Sequence, residues 1–64
     1  MKTAVHLTGA FEPLYLNEPF DATMKNMSAA SNANLIFFLG KDMDDQNVVI
    51  AIRNVLFMRE EDDD

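Results

Sequence analysis

The sequence predicts a small α+β domain in which one helix packs on one face of a strongly bent antiparallel sheet or open barrel. Three observations predict this class. Residues 2–8 alternate apolar and polar side chains, residues 20–30 carry apolar side chains at helical spacing, and residues 35–58 hold three short apolar segments. The predicted order is therefore β-β-α-β-β-β, within one domain that we expect to span residues 1–59.

The first two predicted strands form a hairpin. Residues 2–8 have the period of two that is typical of a half-buried strand. Gly9 interrupts this pattern and Pro13 continues the turn, before a second short strand at residues 14–16. We expect the two strands to pair antiparallel across the connection between them.

The helix is predicted from its start signal and its apolar stripe. Asn17 or Glu18 is expected to cap it, and Pro19 suits its first turn. The stripe has steps of four, three and three residues, through Phe20, Met24, Met27 and Ala30. Residues 31–34 are expected to end the helix, because asparagine tolerates the left-handed backbone conformation that follows a helix.

The last three predicted strands lie at residues 35–39, 48–52 and 55–59. A polar hairpin loop at residues 40–47 separates the first two, and a tight corner at residues 53–54 precedes the third. The first two strands are continuously apolar, which predicts burial on both faces. One helix cannot cover both faces of so small a sheet, so the sequence predicts a homo-oligomer.

The net charge of −6 lies almost entirely at one end of the chain. Residues 60–64 are five consecutive acids, which we expect to form a disordered tail, and the remaining residues sum to −1. A nearly neutral body gives no general attraction for nucleic acid, which is not an expected partner. No apolar stretch is long enough for a membrane span or a signal peptide, so we expect no membrane partner and a cytoplasmic location.

No residue pattern predicts catalysis or a cofactor. Cysteine is absent, and His6 is the single histidine. We therefore expect no catalytic residue and no enzyme activity, and we keep a hydrolase or isomerase that uses His6 as a low-ranked alternative.

The acidic loop admits two interpretations. Asp42, Asp44 and Asp45 could supply oxygen ligands to a calcium ion. However, Asn47 stands where an EF-hand loop requires glycine, and Arg53 stands where it requires glutamate. We therefore favour a solvated hairpin loop and expect no metal site.

Two apolar residues lie in predicted loops, where an exposed side chain is a candidate anchor for a partner. They are Phe11 and Met43. Together with the uncovered strands, they favour a non-enzymatic, self-associating protein that acts by binding another protein.

Residues 52–58, which contain Ile52-Arg53-Asn54-Val55 followed by Phe57 and Met58, resemble the second motif of the Sm-like family. The resemblance implies an alternative function, a ring that binds RNA or a nucleotide ligand with Arg53 and Asn54 at a subunit junction. These two residues complete the predicted partner-binding set. The general organisation of the chain also resembles small bacteriophage accessory proteins, which implies a regulator or inhibitor of a host protein.

Overall fold

The computed structural model describes residues 1–62 and confirms the predicted α+β class. A 3₁₀ turn (Ile52–Asn54) stands at the predicted corner between the last two strands. The regular elements are β1 (Lys2–Leu7), β2 (Leu14–Leu16), α1 (Phe20–Asn32), β3 (Phe37–Lys41), β4 (Asn47–Ala51) and β5 (Val55–Glu61).

The strands form two antiparallel sheets, whereas one bent sheet or open barrel was the expected arrangement. The first sheet has the order β2-β1-β5, and Val5 lies opposite both Leu14 and Met58. The second sheet is the β3–β4 hairpin. An isolated bridge joins the two sheets by pairing Leu16, the last residue of β2, with Asp42, the residue that follows β3. Beside it, the N–H of Asn17 donates to the carbonyl of Lys41 at 2.8 Å.

The helix begins without the predicted side-chain cap. Pro19 is the N-cap residue, and neither Asn17 nor Glu18 caps the helix with its side chain. Glu18 Oε1 instead accepts a hydrogen bond of 2.8 Å from the backbone N–H of Lys41. The prediction of a cap was therefore wrong because the carboxylate bonds to β3, where it links the two sheets.

The helix ends as predicted, at an asparagine in the left-handed conformation. Asn34 has φ +63°, and its N–H donates to the carbonyl of Ser31 at 3.0 Å. The N–H of Leu35 donates to the carbonyl of Ala30 at 2.9 Å. These two bonds form a Schellman motif, which satisfies carbonyls that the helix end leaves unpaired.

The core lies between α1, the first sheet and one face of the hairpin. Its buried apolar members are Val5, Leu16, Ala30, Phe38 and Ile50. β3 approaches the core closely at Gly40, where a Cβ atom would stand 3.2 Å from Leu16 Cδ1. Gly40 therefore permits the contact between the two sheets.

Two threonines form a buried polar link between β1 and α1. Thr3 and Thr23 are both fully buried, and their hydroxyl oxygens lie 3.3 Å apart. Thr3 Oγ1 also donates to the carbonyl of Glu18 at 2.9 Å. Thr23 is buried although it lies outside the predicted apolar stripe, because its hydrogen bonds allow a hydroxyl to occupy a core position.

Several predicted strand boundaries differ from the structure by one or two residues. β1 ends at Leu7 rather than at residue 8, β3 ends at Lys41 rather than at residue 39, and β4 spans Asn47–Ala51 rather than residues 48–52. Two further differences have a clear cause. β3 begins at Phe37 rather than at residue 35, because the Schellman motif at the helix end includes Leu35. β5 extends to Glu61, so the first two acids of the predicted disordered tail lie in a strand. Glu60 pairs with Thr3 and Glu61 pairs with Lys2, because β1 begins early enough to pair with both acids. Residues 63–64 of the predicted tail lie outside the described residues.

Candidate protein interaction surface

The β3–β4 hairpin separates its apolar side chains into a buried face and an exposed face. Phe38 and Ile50 point inward and are each 3% exposed. Phe37, Leu39 and Val49 point outward and are 48%, 65% and 62% exposed. The continuous apolar runs are therefore covered on one face only, because α1 packs against the inner face and no element of residues 1–62 covers the outer one.

The connection between α1 and β3 extends this exposed surface. Leu35 is 58% exposed and Ile36 is 67% exposed. We call the resulting surface the β3–β4 face; it consists of Leu35, Ile36, Phe37, Leu39 and Val49. Its area is on the order of 500 Å², which is within the range of the largest apolar patches on single-chain proteins, and such patches often mark interaction sites.

A groove lies at one end of the β3–β4 face. Its volume is about 470 Å³, and its lining includes Ile36, Phe37 and Ala51 together with Arg53 and Asn54. The 3₁₀ turn places both polar residues there, and both are exposed. The structure thus brings two of the four predicted partner-binding residues together beside the apolar face.

The other two predicted partner-binding residues lie elsewhere. Phe11 is fully exposed in the loop between β1 and β2, and Met43 is 45% exposed in the β3–β4 turn. Neither lines the groove beside Arg53 and Asn54. Their role in binding a partner stays a prediction.

The outer edge of β4 carries main-chain groups that point away from β3. The N–H of Ile52 donates to the carbonyl of Ile36 at 2.9 Å, and that of Asp42 donates to Gln46 at 2.9 Å. These bonds fix the alternation of the ladder, so Val48 and Ile50 bond to β3. The N–H and C=O groups of Asn47, Val49 and Ala51 point outward; in the described chain no strand pairs with them. Sequence reasoning missed this edge, although residues 47–51 contain no charge and no proline.

The acidic loop forms a hydrogen-bonded turn. Asp42 Oδ1 accepts bonds of 2.9 Å from the N–H groups of both Asp44 and Gln46. Asp45 has φ +63°, as the sharp reversal requires. Within residues 1–62, no three histidine, cysteine or acidic side chains are grouped to hold a metal ion. The Asp42 carboxylate thus stabilises the turn.

The outer face of the three-stranded sheet has a different character, because charged and aromatic side chains stack on each other there. His6 stacks on Phe57 with a ring separation of 4.1 Å, and the Arg59 guanidinium lies 5.7 Å from the same phenyl ring. Lys2 Nζ lies 4.5 Å from the centre of the Tyr15 ring. In the described part of the chain, the imidazole of His6 therefore contacts a phenyl ring rather than a nucleophile.

Comparisons with known proteins find no matching family model, no similar curated protein and no similar solved structure. None of the helices formed by residues 1–62 has the length and apolar character needed to cross a bilayer.

Proposed function

We propose that this protein is a non-enzymatic module that self-associates and acts by binding another protein through the β3–β4 face. One observation carries the proposal. The chain buries four large apolar side chains, those of Val5, Leu16, Phe38 and Ile50, and leaves the five of the β3–β4 face exposed on one contiguous surface. A partner that covers this surface completes the burial that the isolated chain lacks.

The size of the chain supports the same proposal. A domain of 64 residues buries a smaller share of its surface on folding than a larger domain does, so its core gives little stability by itself. Burying about 500 Å² of apolar surface contributes on the order of 10 kcal/mol before the entropic cost of association is subtracted. That contribution is comparable to the total stability of a typical small domain.

The surroundings of the β3–β4 face indicate the chemistry of the partner. Arg53 is exposed beside the apolar residues, so a carboxylate on the partner would find a guanidinium at the rim. The expected partner surface is therefore an apolar patch with an acidic residue at its edge. In this proposal the protein is a small accessory factor that regulates or inhibits a host protein by occupying such a patch.

The first experiment tests self-association by sedimentation velocity over micromolar concentrations. Val49 and Leu56 are 62% and 65% exposed, but only Val49 lies on the β3–β4 face, so they form a matched pair. We expect Val49→Ser to raise the Kd of self-association by about tenfold or more, and Leu56→Ser to leave it within about twofold. A wild-type chain that stays monomeric throughout would contradict the proposed self-association, and equal effects of the two substitutions would place its contact away from Val49.

The second experiment tests binding to another protein. A photoreactive amino acid replaces Ile36, which is 67% exposed, and cross-links the partner in the producing cells. The cross-linked protein is then purified and titrated with the wild-type chain and with the variants Ile36→Ser and Leu56→Ser. The proposal requires a complex that Ile36→Ser weakens by about tenfold and Leu56→Ser does not. Equal affinity for all three forms places the partner elsewhere and refutes this role of the face.

One observation favours the Sm-like alternative as a second candidate function. Arg53 and Asn54 are exposed on the 3₁₀ turn beside the 470 Å³ groove, where a base or phosphate group could be bound. Fluorescence anisotropy with single-stranded RNA tests it, with Arg59 as the control because that guanidinium lies over Phe57. RNA binding that Arg53→Ala abolishes and Arg59→Ala preserves would favour this candidate. If neither the wild type nor the variants bind RNA, this candidate is excluded.

A further inference from the structure

We propose that a second copy of the chain binds to the free edge of β4, with Val49 opposite Val49 across a two-fold axis. This inference rests on the self-association proposed above and assigns its geometry. β4 of each copy would pair antiparallel with β4 of the other. The two hairpins would then form one four-stranded sheet with the two β3 strands outermost.

The outward main-chain groups of β4 point in the direction that this pairing needs. Asn47, Val49 and Ala51 direct their N–H and C=O groups outward, as the β3–β4 ladder requires. In an antiparallel pair centred on Val49, this residue exchanges two hydrogen bonds with Val49 of the second copy. Asn47 exchanges two with Ala51 of the second copy, and Ala51 exchanges two with Asn47. Every outward group of the strand is thereby satisfied.

The edge of β4 lacks the features that normally prevent pairing. Exposed edges are usually protected by charged residues, proline or bulges. β4 has the sequence Asn-Val-Val-Ile-Ala and contains none of these features. Three other strands form outer edges of the two sheets. β5 contains Arg59, Glu60 and Glu61 and has a register shift in its ladder with β1. β2 has only three residues, and on β3 the main-chain groups of Lys41 bond to Glu18 and Asn17. β4 is therefore the edge with the least protection.

β4 is electrostatically compatible with a second copy of itself. An antiparallel pair of identical strands brings each residue near its own copy, so a charge close to the axis would face a like charge. None of residues 47–51 is charged, and Val49 at the axis is an apolar, β-branched residue that suits a cross-strand pair. Two copies thus meet without repulsion.

The edge is also accessible. A cleft of about 400 Å³ separates β4 from residues 8–10 of the β1–β2 loop, so open space borders this strand. A strand that pairs with β4 would lie beside Val49 and leave the outer faces of Phe37 and Leu39 uncovered. The β3–β4 faces of the two copies would then be continuous, so the dimer would offer its partner an apolar surface of about twice the area.

The decisive test relies on the same residue, Val49, occupying both positions at the two-fold axis. Val49→Lys and Val49→Glu each place like charges opposite each other, so each variant alone should be monomeric at concentrations where the wild type is a dimer. An equimolar mixture should recover a heterodimer, because lysine then faces glutamate. Native mass spectrometry with one variant labelled with ¹⁵N distinguishes the heterodimer from either homodimer. The matched controls are Leu56→Lys and Leu56→Glu, which should dimerise like the wild type.

A second variant checks the same geometry without adding charge. The chain contains no cysteine, so Val49→Cys introduces a single thiol. Directly opposed residues in a hydrogen-bonded antiparallel pair have Cα atoms about 5.5 Å apart, within the range that a disulfide can span. Under mild oxidation, Val49→Cys should form a covalent dimer at least about tenfold faster than Leu56→Cys.

The outcomes separate this inference from the function on which it rests. A wild-type dimer whose association survives Val49→Lys, or whose two charged variants fail to recover it when mixed, overturns the two-fold β4 geometry and leaves self-association standing. A head-to-tail ring gives this result, because residue 49 would face a different residue. A wild-type chain that is monomeric at all concentrations overturns both.

Discussion

Phe37 and Phe57 are almost equally exposed, at 48% and 47%, but their surroundings differ. Phe57 lies on the outer face of the three-stranded sheet, between the imidazole of His6 and the guanidinium of Arg59. Phe37 lies on the β3–β4 face, among Leu39 and other apolar side chains, and no charged or aromatic side chain of residues 1–62 stacks on it. Polar side chains therefore lie against the ring of Phe57, and among residues 1–62 none stacks on the ring of Phe37.

This difference shows that exposure alone does not identify an interface. A ring stacked against a cation or an imidazole presents polar groups to water and gains cation–π or stacking energy within its own chain. A ring among exposed aliphatic side chains gains comparable contacts only when a partner arrives. The two faces therefore make different predictions for the same type of substitution.

The largest expected effect is a difference in stability between alanine substitutions of two neighbouring residues, Phe38 and Phe37. Phe38 is 3% exposed, so Phe38→Ala should reduce the free energy of unfolding by about 3–5 kcal/mol, because it leaves a cavity in a small core. Phe37→Ala should change it by less than about 1 kcal/mol and should weaken the proposed complex with a partner protein instead. Urea denaturation of dilute protein measures the first effect, and titration of the purified cross-linked partner measures the second. Equal losses of stability would show that Phe37 belongs to the core.

The second-largest expected effect comes from placing a cation beside Phe37, as Arg59 lies beside Phe57. Phe57 and Arg59 are two residues apart on one strand, and so are Phe37 and Leu39. Leu39→Arg should therefore place a guanidinium near Phe37 and raise the Kd of the proposed complex with a partner protein roughly 10- to 100-fold, with little change in stability. Isothermal titration calorimetry with the purified cross-linked partner gives this Kd. An unchanged Kd would mean that the face is not part of the contact.

The reverse substitution removes cover from the other face. Arg59→Leu should expose Phe57 and lower the free energy of unfolding by less than about 1 kcal/mol. It should also create a second apolar patch and add a weak higher-order species in sedimentation, because the new surface can associate with other copies. Arg59→Lys, which keeps the charge, is the control that should stay at the wild-type mass.

The smallest effect is the response to salt. The residues of β4 and of the β3–β4 face are uncharged, so raising NaCl from 0.1 to 1 M should leave the Kd of the proposed self-association within about twofold, while sodium sulfate should lower it. The wild type and Leu56→Ser should respond alike. A Kd that rises steeply with NaCl would indicate an interface made by charged residues.

Much of the fold was predictable because local patterns decided it. The period of two in β1, the helical stripe that ends at Ala30, and the left-handed Asn34 each follow from the residue and its neighbours. The missing helix cap was not predictable, because Glu18 bonds to Lys41, 23 residues away. Thr23 likewise occupies the core through a hydrogen bond to Thr3, which only the tertiary structure brings near.

The sequence predicted that an exposed apolar surface exists, but not which residues form it. The apolar runs correctly indicated more strand surface than one helix covers. Which residues stay exposed depends on the hairpin register, and a one-residue change would exchange Phe37 and Phe38. The exposed Leu35 depends on the exact residue at which the helix ends. The stacking of His6 on Phe57 depends on the pairing of β1 with β5, across 51 positions of sequence.

The pairing of Lys2 with Glu61 brings two distant parts of the chain side by side at one corner of the first sheet. A short linker could therefore join these positions, and new termini could be opened in the exposed β1–β2 loop beside Phe11, to give a circular permutant of the same fold. Such a permutant would place a fluorophore or an immobilisation handle in the Phe11 loop and leave the β3–β4 hairpin intact.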